Sequence, residues 1–376
     1  MLKDLFKNYI YPIATLSGSI IGVGFLSLPY ITLKVGIWPM IFYFIVLTSL
    51  MVFLHIIFGE ICLKTPDFKR FPGFVGFYLG KPAEKLIIIL TILGAFGVLL
   101  AYLIIGGQFL ATIFSPFFGG EVFTYVILYF IILSFIVYFG IKLISKIEFW
   151  ALILLLSLFF IIFVRGFSQI KLGNVFLASP LLAGDFKNIF LPYGAVIFSL
   201  WGTGLIPEVE EMLKGRKKLL KNVIIIATLI PALVYLLFIF LILGITGSQT
   251  TDSALVGLYA HFGRGLFSLA LCIGVITTFT AFVTQALILK KVFMYDMGVG
   301  EFPAWIFVCF IPLILFLLGV NSFIPLISFV GGVFLGIDGL VILLMYRKIG
   351  GKKMIMYPLA LVFILGIAYE IFYFIK

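Results

Sequence analysis

Apolar residues in this chain do not recur every second residue or every third and fourth. They run in blocks of about 20, separated by short polar islands. A block of that length, wound as an α-helix, crosses about 30 Å of hydrocarbon. The pattern predicts an all-α integral membrane protein with eleven transmembrane helices. They fall at residues 11–33, 37–62, 86–114, 122–141, 146–165, 187–213, 219–246, 264–291, 301–319, 322–346 and 354–375. Two connectors, 166–186 and 247–263, are each long enough for a short surface helix, and serve either as gate elements or as plain links.

Two of these blocks carry weak helix formers at their centres. Span one reads SGSIIGVGFLSLPY over 17–30, with Gly18, Gly22 and Gly24 inside it and Pro29 just beyond. Gly18 and Gly22 form a GxxxG pair, which by itself suits close helix packing. Span six repeats the arrangement in FSLWGTGLIPEVEEML, with Gly202 and Gly204 central and Pro207 following. Spans one and six hold matching places in two five-helix sets. Paired interruptions at matching places point to a secondary transporter whose site lies at the repeat interface, because an unwound backbone survives in a membrane only where it lines a cavity.

Composition agrees with the span count. The chain is 64% hydrophobic and 11% charged, with a mean hydropathy of +1.30, far from a soluble domain of 376 residues. Its net charge of +11 would suggest nucleic acid in a soluble protein, but here it follows the loops. With the N-terminus in the cytoplasm, only Lys34, Arg165, Lys171, Lys187, Arg264 and Lys376 of the 26 basic residues fall outside; the other 20 face the cytoplasm. This positive-inside bias sets a multi-pass protein of the cytoplasmic (inner) membrane, C-terminus outside, in contact with anionic lipid and with no nucleic-acid partner. Cys62, Cys272 and Cys309 lack paired spacing and are expected as buried, reduced thiols. The first apolar block, with no small-residue cleavage site after it, is expected to be retained.

Gly18-Ser19-Ile20-Ile21-Gly22-Val23-Gly24, followed by Leu26, Leu28 and Pro29, resembles the first helix of the amino acid–polyamine–organocation superfamily. Ile206-Pro207-Glu208-Val209 is similar to the Pro-x-Val/Leu motif of its amino acid/auxin and aromatic amino acid permease branch, and Gly59-Glu60 also fits the superfamily pattern. The resemblance covers spans 1–10 in layout, with specific motifs in spans one and six. It implies a LeuT-type 5+5 inverted repeat with helices one and six broken: a first repeat over 1–165, a connector over 166–186, a second repeat over 187–346 and an accessory helix over 347–376. A twelfth span, common in relatives, is missing. Monomer and homodimer both stay open.

The resemblance also implies a cation-coupled amino acid transporter, or an exchanger of the same fold. Helix ends at a break offer free amides on one side and free carbonyls on the other. The amides of Gly22, Val23 and Gly24 are expected to take the substrate carboxylate, with glycine leaving room for backbone contact. Carbonyls near Phe198, Ser199 and Trp201 are expected to take the ammonium, and Gly18, Ser19, Gly202 and Thr203 complete the two breaks. Tyr102 and Gln108 in span three are weaker lining candidates. In sodium-coupled relatives, a hydroxyl pair in span eight meets the first break. Carried over, the ligands are the carbonyls of Gly18, Ile21 and Gly274 with the hydroxyls of Thr277 and Thr278, which makes Na⁺ the slightly favoured coupling ion. Proton-coupling candidates are Asp338, an acid inside span ten, together with Glu60 and His55 in span two. No other cofactor is expected. A membrane enzyme is disfavoured, since His55 and His261 are the only histidines and lie far apart, with no metal motif or carboxylate pair in a span. A channel would need a filter-like repeat, which is absent.

Overall fold

A computed structural model describes residues 5–67, 69–139, 144–176, 188–214, 216–260 and 264–375, and what it describes is helical. In chain order the principal helices are α1 (Tyr11–Ile20), α2 (Leu28–Val35), α3 (Ile37–Lys64), α4 (Phe71–Leu79), α5 (Lys81–Phe118), α6 (Val122–Phe139), α7 (Ile144–Gly166), α8 (Pro192–Leu200), α9 (Ile206–Leu213), α10 (Lys217–Thr246), α11 (Arg264–Lys291), α12 (Glu301–Leu317), α13 (Phe323–Phe329), α14 (Leu335–Lys348) and α15 (Lys353–Ile375).

Among the described residues, seven helices are long and apolar enough to cross a membrane unaided. An eighth span forms if residues 8–20 and 24–35, bent by 51°, are taken together. The remaining predicted spans correspond to shorter pieces: α12, an apolar stretch at Leu156–Gln169, and the separate halves α8 and α9. Eleven therefore stays an expectation, while a multi-pass helical architecture is plain.

The sequence reading missed α4. It lies between the predicted spans two and three, framed by Pro72 at its start and by Gly80 at its end, where φ is +91°. A non-glycine residue is strained at that angle, so Gly80 ends one helix and lets Pro82 start the next. α5 consequently runs 38 residues, roughly 57 Å at 1.5 Å per residue, well beyond the predicted 86–114. In the first long connector, Phe167–Gln169 and Leu172–Val175 are single turns, and residues 177–187 lie outside the described part. In the second, Gly247–Gln249 and Val256–Ala260 are short tight turns; His261 lies outside it. Cys62 and Cys309 are buried free thiols as expected, whereas Cys272 is exposed. Its block is apolar all round, so membership of the block did not say which face Cys272 occupies.

Two apolar cores share α5 between them. One joins α1, α2, α3, α8, α9 and α10 and reaches α13 to α15. The other joins α5, α6, α11 and α12. Tyr102, Val275, Leu315 and Phe316 pack against both. Small residues set the closest approaches. A Cβ on Gly107 would lie 2.8 Å from the Cα of Val126, so α5 and α6 meet there backbone to backbone. Gly107→Val is expected to lose roughly 1–3 kcal/mol to overpacking, read as a lower unfolding temperature in detergent than the parent.

Candidate functional site

α1 stops at Ile20, and Ile21 turns out of the helix at φ −76° and ψ 81°. A tight 3₁₀ turn at Gly24–Ser27 then feeds α2. Span six breaks the same way: α8 ends at Leu200, Trp201 is extended, and a 3₁₀ turn at Thr203–Leu205 leads into α9. Pro29 and Pro207 each fall in the first turn of the second half, where a missing N–H costs nothing.

The peptide groups freed by the two breaks fall into the same two classes. In an unbroken helix the Gly22 amide would bond the Gly18 carbonyl; here it closes a turn on Ile20, at 2.8 Å. The Gly202 amide would bond Phe198 and instead reaches Nε2 of His55, at 3.2 Å. Gly24 and Thr203 would claim the carbonyls of Ile20 and Ser199. Both carbonyls accept from one hydroxyl, that of Tyr235 on α10, at 2.9 and 3.1 Å. Tyr235 is fully buried, and its ring stacks on Phe25, centroids 5.3 Å apart. A single side chain thus holds the first-half ends of both broken helices.

His55 caps the second break through a determined tautomer. A backbone amide can only donate, so Nε2 is the acceptor and Nδ1 carries the hydrogen. Nδ1 donates to Thr228 Oγ1 at 3.0 Å, and Thr228 donates onward to the Ile224 carbonyl at 2.9 Å. A third link ties α1 to α10, from Ser17 Oγ to the Ala227 carbonyl. Ser17, Thr228 and Tyr235 were not singled out in the sequence. Thr228 and Tyr235 are seven residues apart, which puts them on one face of α10, and that spacing was the available signal.

The structure brings most of the predicted substrate residues together. A Cβ on Gly24 would lie 2.6 Å from Ser199 Oγ and 2.7 Å from Phe198 Cδ1, so the two breaks face each other across that glycine. A Cβ on Gly22 would lie 3.5 Å from the Tyr102 hydroxyl. Val23 and Thr203 are buried; Phe198 and Trp201 are half-buried. Gly202 backs onto Ile20. Of the three amides expected to take a carboxylate, Gly22's is spent on Ile20. Those of Val23, Gly24 and Phe25 make no described hydrogen bond. Ser19 is exposed and returns its hydroxyl to Leu16 in its own helix. Gln108 is half-buried, and only its carbonyl has a described bond, from Thr112.

The oxygens expected for sodium differ in their present partners. The Gly18 and Ile21 carbonyls are unclaimed by described donors. Thr278, however, donates to Val275 at 2.9 Å and shares a 2.8 Å hydrogen bond with Tyr129 of α6, while Gly274 is packed on Phe109. Thr277 is half-buried on the same turn. Of the proton candidates, Glu60 lies 3.7 Å from Lys217 as an ion pair. Asp338, half-buried in the first turn of α14, makes none of the described ion pairs.

Two facing helix breaks with paired loose peptide ends, inside a multi-pass helical bundle, define a membrane carrier. The family model of the tryptophan/tyrosine permeases matches residues 7–367. The chain belongs to the tryptophan/tyrosine permease family. Tyrosine-specific transport system 1 of Haemophilus influenzae is 24% identical over 223 residues, which are 59% of this chain and 54% of that protein, so the match spans about half of its length. Among solved structures, MhsT in complex with L-phenylalanine superposes with a TM-score of 0.58 at 15% identity, covering 96% of this chain and 97% of that one. MHP1, a nucleobase-cation-symport-1 family transporter in a closed conformation with bromovinylhydantoin bound, gives 0.64 at 13% identity, covering 88% and 76%. These likenesses establish the LeuT-type fold.

Tyr235→Phe leaves the buried Ser199 carbonyl without its described donor and the Ile20 carbonyl with the Gly22 amide alone. The expected loss is about 1–3 kcal/mol per unsatisfied group, seen as a lower unfolding temperature with helix content by circular dichroism unchanged.

Proposed function

We propose that this chain is a secondary active transporter that carries an aromatic amino acid across the cytoplasmic membrane by alternating access, coupled to a cation. The observation that carries the reading is the pair of facing breaks, with free amides at Val23 and Gly24 on one side and the Phe198 and Ser199 side chains across Gly24 on the other. A zwitterion suits these groups: amides at the start of a helix segment take its carboxylate, and the loosened carbonyl ends take its ammonium. Phe198, Trp201 and Tyr102 around the breaks favour an aromatic side chain. The relative described as tyrosine-specific and the neighbour solved with L-phenylalanine support that cargo class. The charge bias of the loops supports a cytoplasmic N-terminus.

Two coupling cations fit this scheme. Sodium is supported by the free carbonyls of Gly18 and Ile21. A proton is supported by Thr278's present engagement with Tyr129.

The decisive measurement is uptake of labelled tyrosine, phenylalanine and tryptophan into proteoliposomes under imposed sodium or proton gradients. The parent is expected to accumulate at least one of them, and Gly24→Val to lose uptake, since its side chain would occupy the space of Phe198 and Ser199. Parent vesicles that neither accumulate nor exchange any of the three would end the proposal. Should sodium drive uptake, Thr277→Ala/Thr278→Ala is expected to abolish the sodium stimulation; stimulation that survives the double change removes that ion site.

A further inference from the structure

A second polar centre lies away from the two breaks, on the accessory helix. Glu370 of α15 is 1% exposed, yet neither of its carboxylate oxygens has a hydrogen-bond partner. The Gly194 amide is the polar group that approaches it, without closing a bond of good geometry. Tyr193 on α8 (5% exposed) and Ser328 on α13 (1% exposed) also bury hydroxyls that lack partners. Among the described residues, eight buried side-chain polar atoms lack a partner, and these three residues supply four of them.

The three helices meet there through glycines. A Cβ on Gly194 would lie 2.7 Å from Glu370 Oε1 and would collide with the Ser328 carbonyl. One on Gly332 would collide with the Glu370 side chain, and one on Gly366 with the Tyr193 ring. Gly331 is pressed on the Gly194 carbonyl, and its Cβ would lie 2.9 Å from Phe198 Cβ. Gly331 and Gly332 belong to a π-helical turn, Val330–Phe334, a local irregularity that recurs at functional sites. Gly194 precedes Phe198 by one turn, so the centre touches the helix half that carries the second break.

Native interiors rarely leave such groups unsatisfied, and a cluster of them marks a missing water or ion. An unpaired carboxylate in a membrane interior needs a positive charge. Among the described residues none is supplied. The described ion pairs are Lys69–Asp67, Lys217–Glu60 and Lys290–Glu301, and none involves Glu370. The other titratable groups facing it are tyrosines: Tyr193 from α8 and Tyr369 on its own helix, with Tyr43 of α3 and Tyr373 beside Tyr369. From α13 and the π turn come only Ser328 and glycine backbone.

We propose that Glu370, with Tyr193 and Ser328, binds one monovalent positive charge, a proton on the carboxylate or a sodium ion among these oxygens, and that its occupancy sets the position of α8 and so couples the cation to the cargo site. In the proton case, one proton from the aqueous phase adds to a carboxylate oxygen and leaves from the same oxygen after the carrier has reoriented, with no other bond changed.

The coupling part rests on the transport reading, so the test separates the two. Proteoliposomes of the parent and of Glu370→Gln are compared for labelled tyrosine accumulation in two arms, a pH gradient without sodium and a sodium gradient at equal pH, together with gradient-free exchange. The parent accumulates in one arm, which identifies the cation. Glu370→Gln is expected to lose about ten-fold or more of that accumulation while keeping exchange within about two-fold. Accumulation equal to the parent's, or an equal loss of exchange, overturns the assignment.

Purified protein supplies a readout that does not need transport. The parent's unfolding temperature is expected to depend on pH or on sodium, and Glu370→Gln to flatten that dependence; the same dependence in both overturns the site even if tyrosine proves not to be the cargo. If Glu370→Gln does not fold, Tyr193→Phe/Ser328→Ala retains the carboxylate and is expected to shift the pH or sodium midpoint by about three-fold or more. An unmoved midpoint then overturns the proposal.

Discussion

A peptide group inside hydrocarbon has no water to fall back on, and each one left without a partner costs several kcal/mol. This structure places two such ruptures side by side and satisfies them with a small set of side chains from neighbouring helices. The Tyr235 hydroxyl accepts the task for two carbonyls at once, and His55 does so for one amide. Both depend on α10, which presents Tyr235 directly and orients His55 through Thr228. These caps leave the amides of Val23 and Gly24 in the first break without a described partner.

The two apolar cores give the breaks a mechanical setting. Both broken helices lie in the larger core with α3 and α10, while α6 and α12 belong to the smaller one, and α5 and α11 contribute buried residues to both. Tyr102 belongs to the seam between them and also overhangs Gly22. In the proposed alternating access, a relative motion of the two cores would change the surroundings of the first break through Tyr102. Glycines at 24, 194 and 331 keep α8 within backbone reach of the first break on one side and of the π turn on the other. Displacement of α8 is therefore felt at both.

Much of this was legible in the sequence, and what was missed has a common cause. Glycine pairs followed by proline at matching places in spans one and six announced the breaks, since packing explains glycines in one apolar block but not their repetition in both. Phe198, Ser199 and Gly24 followed from those positions. Tyr235 did not, because one tyrosine among 17 in an apolar helix carries no local mark of what its hydroxyl reaches. His55 was noticed as a titratable group, but its service as a neutral acceptor depends on Gly202, 147 residues away. Thr278 shows the reverse problem: the adjacent threonines were plain, yet which face of α11 they occupy is set by Tyr129. Local chemistry can be read from order along the chain, whereas partnership across helices cannot.

The charge economy of the two centres explains why they are separate. A zwitterion brings a carboxylate and an ammonium that lie close together, so its net charge is zero and its field at a distance largely cancels. In the proposed binding mode peptide dipoles at the two breaks hold it, and a formal charge placed there would favour one end of the cargo while repelling the other. A coupling cation is the opposite case, because it brings a full charge into hydrocarbon and needs a full countercharge. In the proposed coupling Glu370 supplies it, from a helix that takes no part in either break. With little direct electrostatic attraction between the two ligands, their linkage must pass through shape. The contact of Gly331 with Gly194 and Phe198 is a short mechanical path from the acid to the cargo. A larger residue at any of these positions would lengthen that path, and for that reason the sequence spends glycines on it.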